Sequence, residues 1–478
     1  MFINLHVHSA IGSLLDSILT VEQAVKYAAD NGQSHIALTD HGTMHGFVEQ
    51  VKLCKKYGVK PIVGCEIYEV DNYLEKNDSK EYTQPRYHLV LLASKQVGLQ
   101  NLFKIVSEAA TTGMYKKPRI SINWIKEHNL GEGIICLTAC QVGRLSRYLE
   151  NEMYDEAEEF VNLLKDTFDY VACEIQSHKT EQQLKCNTLI YQFARHMNMP
   201  YVITTDAHML SANQIDTHSI FVSIGEGRET GETYVGCHLQ NEQDVFQYLG
   251  DWMLERVVQQ GIDETVHIAN MIDDDIDYGL DHGNIMPTIN VPEEFSSHED
   301  YLHYLVFEKF DNKFGWMNEE DQKIRRERLE KELPVINALD YTDYFIMLHM
   351  IAEAADARQL PRGYSRGSGA NCLCLFMLGV TQIDSIRWDL DFSRFANLGR
   401  KGSLADFDWD ISKRRRKEII EISEELFGKE NVAPIATFNT LATKVAIRDI
   451  GKVLNERQDS PYFGQIPYSL RDKIKIFF

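Results

Sequence analysis

The sequence predicts an α/β fold, with a parallel sheet or closed barrel in roughly the first 210 residues and a second, largely helical region after it. Seven short β-rich segments alternate with amphipathic helical patterns in the first part. This alternation then stops, and residues 298–357 are rich in helix formers and charge pairs. Because 44% of the 478 residues are hydrophobic and 25% are charged, the chain has enough apolar surface for several domains and is not disordered or fibrous.

The first strand and the first helix are predicted from β character and from capping residues. Residues 2–6 have β character, and the helix that follows begins at Thr20 as N-cap with Gln23 three positions later, which is the spacing of a capping box. Asn31 and Gly32 end this helix. The remaining strand segments are residues 35–40, 61–70, 87–93, 133–138, 169–175 and 201–206, and a second helix is predicted over residues 43–57, ending at Gly58.

The later part of the chain has a different pattern. Residues 251–280 are predicted to be helical and to end in an acidic turn, which marks a domain boundary. A Gly/Ser-rich loop at 362–372 precedes an apolar helix, and a strand-like segment at 405–410 precedes a basic run at 413–417. The predicted domains are residues 1–270, 281–430 and 431–478.

Composition and charge exclude several classes of protein. With 49 Lys+Arg against 71 Asp+Glu, the net charge of −22 argues against a protein that coats DNA over its whole surface, although a local basic track is compatible with it. Nine cysteines without a Cys-x-x-Cys pair argue against a disulfide scaffold or a zinc ribbon. Since no apolar run reaches the ~18–20 residues of a membrane span and no signal peptide is visible, we expect a cytoplasmic protein without membrane contact.

Polar side chains that can bind metals recur where the predicted strands end. His6 and His8 form a His-x-His pair that places both imidazoles on one side of an extended segment. The ends of parallel strands meet at one rim, so residues scattered over 200 positions can converge there. The candidates are His6, His8, Asp16, Asp40, His41, Glu66, His88, Cys140, Asp206 and His208. Imidazoles, carboxylates and one thiol suit Zn²⁺, Mn²⁺ or Fe, whereas each residue alone could equally be a packed core residue or a helix cap.

A second candidate site lies in the later part of the chain. Asp406, Asp408 and Asp410 alternate with Phe407 and Trp409, so a strand would present three carboxylates on one face. Parallel carboxylates repel one another unless cations separate them, and Mg²⁺ with substrate phosphates is the usual partner of such a set. The glycine-rich loop around Arg366 could bring backbone N–H groups and a guanidinium to a triphosphate. An acidic surface edge and a flexible connector remain the alternatives.

Residues 1–270 resemble the PHP (polymerase and histidinol phosphatase) domain. The matching motifs are HVHS at 6–9, LLD at 14–16, ALTDHGTMHG at 37–46, PIVGCE at 61–66, LTAC at 137–140 and TTDAH at 204–208. The resemblance implies a distorted (β/α)7 barrel with a trinuclear metal site. Its nine ligands would be His6, His8, Asp16, His41, Glu66, His88, Cys140, Asp206 and His208. Such a centre would hydrolyse phosphoesters and could act as a 3′–5′ exonuclease.

The later part resembles the palm of the family C bacterial replicative DNA polymerase III α subunit. The resemblance runs through residues 331–348, SRGSGA at 365–370, 379–397, ADFDWD at 405–410, and 435–454 at the start of a thumb. It implies an incomplete α+β nucleotidyltransferase-like palm in which Asp406 and Asp408 are catalytic and hold Mg²⁺. The implied triphosphate-binding residues are Arg366, Gly367, Ser368, Gly369 and Arg394, and the implied DNA-binding residues are Lys444 and Arg448. Ala405 and Ser393 depart from the family pattern, which suggests a divergent bacterial or phage lineage.

The resemblance also implies partners. The family's third palm carboxylate and its fingers lie beyond the matched region, so we expect that this polypeptide alone does not extend a primer. The expected partners are a DNA template–primer, dNTP, a second polymerase fragment and other replisome subunits. Two other readings stay open. One is a stand-alone metal-dependent phosphoesterase or exonuclease, and the other is an inactive remnant whose barrel serves as a binding platform.

Overall fold

A curled mixed sheet surrounded by helices forms the first of two units in the computed structural model. The model describes residues 1–76, 84–226, 234–280, 287–400, 406–458 and 460–466. Contacts group residues 1–280 with 438–478 in the first unit and residues 281–437 in the second. The strands are β1 (His35–Leu38), β2 (Lys60–Glu69), β3 (Tyr87–Ala93), β4 (Met114–Tyr115), β5 (Lys117–Ile120), β6 (Ile134–Leu137), β7 (Tyr170–Gln176) and β8 (Tyr201–Thr204).

Helices follow most of these strands and make up nearly all of the regular structure of the second unit. Those of residues 1–280 are α1 (Val21–Asp30), α2 (Phe47–Tyr57), α3 (Gln96–Ala110), α4 (Ile122–Glu127), α5 (Arg144–Glu150), α6 (Tyr154–Thr167), α7 (Glu181–His196), α8 (Ile215–Glu226), α9 (Glu242–Leu249) and α10 (Glu255–Asn270). The later ones are α11 (His298–Glu308), α12 (Phe310–Phe314), α13 (Glu319–Ala338), α14 (Thr342–Ala357), α15 (Leu373–Met377), α16 (Arg416–Phe427) and α17 (Thr443–Glu456). In the described residues no helix is both long and apolar enough to cross a bilayer.

The extended N-terminal residues close the sheet into a barrel. Ala37 N–H donates to the carbonyl of Asn4 (3.0 Å) on one side, and His8 N–H donates to the carbonyl of Ala207 (2.8 Å) on the other. Parallel pairs then join β1 to β2, β6 to β7 and β7 to β8. The predicted first strand is therefore present as a buried, extended segment. Its regular pairing in the described residues is limited to an isolated bridge between Val7 and Ala207.

One strand departs from the parallel arrangement that the alternation predicts. β3 runs antiparallel to both of its neighbours, β2 and β6. A parallel neighbour needs a crossover, usually helical, of a dozen residues or more. The described residues between β2 and β3 contain no helix. The barrel is thus distorted, as the resemblance to the PHP fold implies.

The capping box predicted at the first helix is confirmed. Gln23 N–H donates to Thr20 Oγ1 (3.2 Å), and the Gln23 side-chain oxygen accepts from Thr20 N–H (3.0 Å). α2 begins at Phe47 instead of residue 43, because the turn after β1 occupies the intervening positions. The core of the barrel consists almost entirely of aliphatic side chains from the strands and the inner helix faces.

The second unit is helical, and its predicted strand at 405–410 forms no ladder within the described residues. A single antiparallel bridge joins Arg362 to Ile411. The alternation of the segment is nevertheless present: Phe407 and Trp409 pack against the core, and the aspartates between them are exposed. Trp409 Nε1 donates to the carbonyl of Val380 (2.9 Å), which fixes the segment without a sheet partner.

The segment expected to begin a thumb falls partly in the first unit. From residue 438 onward it groups with the barrel, and α17 packs against α8. Arg457 donates to Ser219 Oγ (3.2 Å) at the end of that contact. Residues 467–478 of the predicted thumb lie outside the described residues.

Candidate metal centre and nucleotide loop

The nine residues that the PHP resemblance implies as ligands converge at one end of the barrel. The pairing register brings them together: Val7 bridges Ala207, His41 bridges Glu66, and His88 bridges Gly143. His6 and His8 are fully buried, whereas His41 and His88 retain partial exposure. The centre therefore has a buried floor and an open side.

Glu66 occupies the middle of the cluster and faces four imidazoles. Its Oε1 atom lies 3.0 Å from His88 Nδ1 and 3.4 Å from His6 Nε2. Its Oε2 atom lies 2.5 Å from His41 Nδ1 and 3.6 Å from His8 Nε2. One carboxylate thus spans two sides of the cluster, which is what a bridging ligand between two cations must do.

Two aspartates complete the arrangement. Asp206 Oδ1 lies 3.0 Å from His8 Nε2 and 3.6 Å from His208 Nδ1. Asp16 Oδ2 lies 2.8 Å from His41 Nε2 and 3.3 Å from His208 Nε2. Each carboxylate therefore faces at least two imidazoles, and the nine side chains form one continuous network.

The donor atoms fall into three groups that could each hold a cation. Within each group the atoms lie within 4.8 Å of one another: His8, His41 and His208; His6, His8 and Asp206; and His41, Glu66 and His88. Cys140 Sγ lies 3.6 Å from His88 Nδ1 and adds a thiol to the third group.

Several buried atoms of the cluster lie at ion-pair distance from one another but form no hydrogen bond of acceptable geometry in the described residues. These atoms are His41 Nδ1, both carboxylate oxygens of Glu66, and Asp206 Oδ1. Buried polar atoms are normally satisfied, and unpartnered ones call for an explanation such as a bound ion. The donors present therefore fit a multinuclear site for Zn²⁺, Mn²⁺ or Fe.

The charge balance of the cluster also favours bound cations. Burial opposes ionisation of Glu66, but His88, His41 and His6 outweigh it and hold the pKa of that carboxyl well below its usual range. Burial likewise works against charge on His41, but Glu66 and Asp16 raise its pKa to about 10. Burial, with repulsion from His41 and His208, lowers the pKa of His8 to about 3. Anionic carboxylates thus require positive charge among the imidazoles, and a metal cation supplies the same charge.

Strained backbone supports the ligand loops. Leu15, next to Asp16, has φ 62°; Ala139, next to Cys140, has φ 60°; and Asp206 itself has φ 46°. Such left-handed conformations in residues other than glycine cluster at functional sites, because the surrounding structure must hold them in place.

Asp40 shapes the loop that carries Asp16 and does not enter the cluster. Its carboxylate accepts from Ser9 N–H (2.5 Å) and from the hydroxyls of Ser9 (2.7 Å) and Ser13 (2.9 Å). Burial raises the pKa of Asp40 to about 6. A Cβ on Gly12 would lie 2.1 Å from the Asp40 carboxyl carbon, so the close approach requires glycine there.

Three supporting residues were not singled out by the sequence. Glu174 Oε1 lies 2.6 Å from His6 Nδ1, Tyr234 donates to Asp16 Oδ1 (3.2 Å), and His218 Nε2 lies 2.6 Å from the Asp16 carbonyl. A glutamate in the apolar segment DYVACEI is the one available signal for Glu174. Nothing in the local pattern distinguishes Tyr234 or His218.

The glycine loop and the acidic segment of the second unit lie side by side. Gly363 N–H donates to the carbonyl of Asp410 (2.8 Å). Arg366 Nε lies 3.4 Å from Asp408 Oδ2, and another of its nitrogens lies 3.8 Å from Asp410 Oδ1. Gly367 adopts φ 66°, and a Cβ there would lie 3.3 Å from Asp408 Oδ2. The predicted triphosphate loop and carboxylates are thus neighbours, with Arg366 facing Asp408 and Asp410.

The other predicted nucleotide and DNA contacts are more scattered. Ser368 and Gly369 belong to the one-turn helix Gly367–Asn371, and Gly369 packs against the ring of Phe407. Arg394 is exposed at the end of the turn Phe392–Arg394, and no ion pair joins it to the acidic segment among the described residues. Burial, with a smaller effect of the Asp406 charge, raises the pKa of Tyr344 to about 12.

The two predicted DNA-binding residues lie on α17, in the first unit. Lys444 is exposed near the start of this helix, and Arg448 Nε lies 3.1 Å from Asp449 Oδ1. They therefore present positive charge one helical turn apart.

Two family models match most of the chain. Residues 4–178 match the PHP domain, and residues 300–470 match the bacterial DNA polymerase III alpha NTPase domain. The DNA polymerase III alpha subunit of Treponema pallidum (strain Nichols) is 34% identical over 461 residues, which cover 95% of this chain and 38% of the relative. That of Borreliella burgdorferi is 32% identical over 95% of this chain and 39% of its own length, and that of Aquifex aeolicus is 28% identical over 99% and 40%. The chain spans about two fifths of the length of these relatives.

Proposed function

The chain is a relative of the bacterial DNA polymerase III alpha subunit, and on this premise we propose that it serves DNA replication through two sites. The cluster at the barrel mouth hydrolyses phosphoester bonds, and the Arg366 loop with its acidic neighbours receives an incoming dNTP. Both roles use DNA or its precursors as substrate and place the protein at a cytoplasmic replisome.

Hydrolysis at the barrel mouth is the function that the geometry supports best. The observation that carries it is Glu66, whose two buried carboxylate oxygens face four imidazoles. The residues that would hold cations are the nine named above, with Glu66 between two groups. When bound, such cations would activate water and stabilise charge on a phosphoryl group. Zn²⁺, Mn²⁺ and Fe all suit the donor set.

The chain's own residues favour a polyanionic substrate. Tyr68 lies beside the centre, with its ring centroid 6.0 Å from that of His41 and 5.3 Å from that of His88. Lys117 Nζ lies 5.3 Å above the same Tyr68 ring and is exposed. In a chain of net charge −22, a cation at this rim would hold the backbone phosphate of a DNA strand whose end enters the centre.

A nuclease assay tests this proposal. We expect the metal-loaded chain to shorten single-stranded DNA from its 3′ end, and His6→Ala and Asp206→Ala to lose both the metal and the activity. Lys117→Gln should retain the metal but require higher DNA concentrations. Bound metal without hydrolysis of any phosphodiester would instead support the binding-platform alternative, and a chain that takes up no metal would contradict both roles of the centre.

The second site supports a role in nucleotidyl transfer. Arg366 pairs with Asp408 and Asp410, so a triphosphate with Mg²⁺ could exchange for these contacts, with the phosphates on the guanidinium and the cation on Asp406 and Asp408. We expect Arg366→Gln to weaken dNTP binding about tenfold and Asp408→Asn to weaken its Mg²⁺ dependence. Arg387→Gln, an exposed arginine of the same unit, is the matched control. Equal dNTP affinity in the Arg366→Gln and control variants would refute the assignment.

We further propose that polymerisation requires parts of an alpha subunit beyond those that this chain spans, which a second polypeptide can supply in an assay. The three aspartates are exposed, whereas two-metal transfer needs an enclosed, positioned template–primer. Lys444 and Arg448 would then contact the DNA backbone. Primer extension only in the mixture of both polypeptides is the expected result, and extension by this chain alone would contradict it.

A further inference from the structure

Glu174 is not one of the nine implied ligands, but its carboxylate contacts the ring of one of them, His6. It lies on β7, and its Oε1 atom is 2.6 Å from His6 Nδ1. Both side chains are fully buried, at 0% exposure. The other ring nitrogen, His6 Nε2, points into the cluster and lies 3.0 Å from His8 Nε2.

This contact determines which nitrogen of His6 keeps its proton when a cation binds. A carboxylate can only accept a hydrogen bond, so Nδ1 must be the donor, and Nε2 is the nitrogen left to bind a cation. Nε2 faces Glu66 Oε1 and Asp206 Oδ1, each 3.4 Å away, which are both acceptors. Acceptors that converge in a buried site repel one another unless a cation lies among them.

The surroundings hold Glu174 in this orientation. Thr204 Oγ1 donates to the same Oε1 atom (2.5 Å), and Gln176 Nε2 lies 3.5 Å from it. Glu174 N–H donates to Thr138 Oγ1 (2.9 Å), which ties the backbone of β7 to the strand beside it. Oε1 therefore has two short contacts, and the carboxylate can accept from His6 without reorientation.

We propose that Glu174 is a positioning residue of the metal centre, which fixes His6 in the Nδ1–H form so that Nε2 binds a cation. This inference rests on the proposed metal centre. Without the carboxylate, the imidazole would be free to carry its proton on Nε2, which blocks the nitrogen that faces the cluster. A histidine ligand commonly donates its second N–H to a carboxylate, and loss of that partner costs about 10–100-fold in metal affinity.

Two substitutions distinguish the charge of Glu174 from its ability to accept a hydrogen bond. Glu174→Gln keeps an acceptor oxygen for His6 and Thr204 but removes the charge, and Glu174→Val removes the acceptor. Glu69→Gln is the matched control, because Glu69 is also a buried carboxylate of the barrel, but it pairs with Arg144 Nε (2.7 Å) outside the cluster. Metal affinity would be measured for all variants by competition with a chelator for Zn²⁺.

We expect Glu174→Gln to weaken Zn²⁺ binding roughly tenfold and Glu174→Val by roughly a hundredfold, with no change in Glu69→Gln. The second readout is the tautomer of His6, measured by NMR on chain labelled with ¹⁵N-histidine and assigned with a His6→Gln variant. In metal-free chain, at a pH high enough for His6 to be neutral, its proton should reside on Nδ1, and in Glu174→Val it should move to Nε2.

The outcomes are distinguishable. A wild-type chain that binds no Zn²⁺ refutes the metal centre itself. Wild-type binding with unchanged affinity and tautomer in Glu174→Val refutes the positioning role alone. A loss of affinity in Glu174→Val and Glu69→Gln alike, with the His6 tautomer unchanged, would assign Glu174 to the stability of the barrel and also overturn the proposal.

Discussion

Glu66→Gln is the substitution that most sharply separates a metal centre from a packed polar cluster. The amide has nearly the same shape as the carboxylate but lacks its charge. It would present an N–H₂ group to two of the four imidazoles that Glu66 now faces. We therefore expect cations to be lost from both sides of the cluster while the barrel remains folded.

The size of the effect follows from linkage. A cation at 100 times its dissociation constant stabilises the folded state by about 2.7 kcal/mol. Because the two Glu66 oxygens face different imidazole pairs, we expect two such contributions, or about 5 kcal/mol, to disappear. For a unit built around residues 1–280, each kcal/mol moves the Tm by about 2 °C, so the metal-dependent rise in Tm should fall by roughly 10 °C.

Calorimetry with and without Zn²⁺ measures this quantity directly. Glu69→Gln, on the same strand and equally buried, should keep the full metal-dependent rise in Tm even where its own stability is lower. If Glu66→Gln gains as much from Zn²⁺ as the wild-type chain does, the metal is bound elsewhere and Glu66 is a structural residue.

Three further predictions concern other parts of the chain. Gly12→Ala should disorder the loop that carries Asp16 and destabilise the barrel by more than about 2 kcal/mol, because the new Cβ would lie 2.1 Å from the Asp40 carboxyl. Denaturant titration checks this, and an unfolding midpoint equal to that of the wild type would contradict it. Tyr234→Phe removes the hydrogen bond to Asp16 and should weaken metal binding a few-fold without loss of fold, measured by chelator competition; unchanged affinity would show that Asp16 is held without it. Burial and repulsion from Lys309 lower the pKa of Lys313 to about 8, whereas an unfolded lysine titrates near 10.4. The free energy of unfolding, relative to Lys313→Met, should therefore rise by roughly 2 kcal/mol between about pH 7 and pH 10. Urea titrations that show the same pH dependence of stability in both proteins would contradict this.

The barrel and its candidate ligands could be predicted from the sequence, because strand patterns and the polar residues at their ends recur along the chain. The capping box at Thr20 and Gln23 appears where the spacing predicts it. Residues such as His41 and Glu66, far apart in the sequence pattern, meet because the ends of neighbouring strands must lie at one rim. The resemblance to the PHP domain added the choice of nine among the possible ligands.

Other features depend on tertiary contacts that no local pattern encodes. The antiparallel direction of β3 is set by its pairing with β2 and β6, and the apolar pattern of its residues is the same in either direction. Glu174 was overlooked because one acidic residue in a strand gives no clue that His6 lies opposite it. The segment around Asp406 keeps its alternation but has no strand partner among the described residues, since side-chain alternation does not supply one.

The metal centre is proposed to consist of His6, Glu66, Cys140 and their partners, which would hold cations at the mouth of the barrel. Diffraction from crystals grown with Mn²⁺ or Zn²⁺, recorded at the absorption edge of the metal, tests it most directly. We expect anomalous peaks about 2.0–2.3 Å from Glu66 and from the Nε2 atoms of His6 and His8. A cluster with the same side-chain positions and no anomalous peak among them would contradict it.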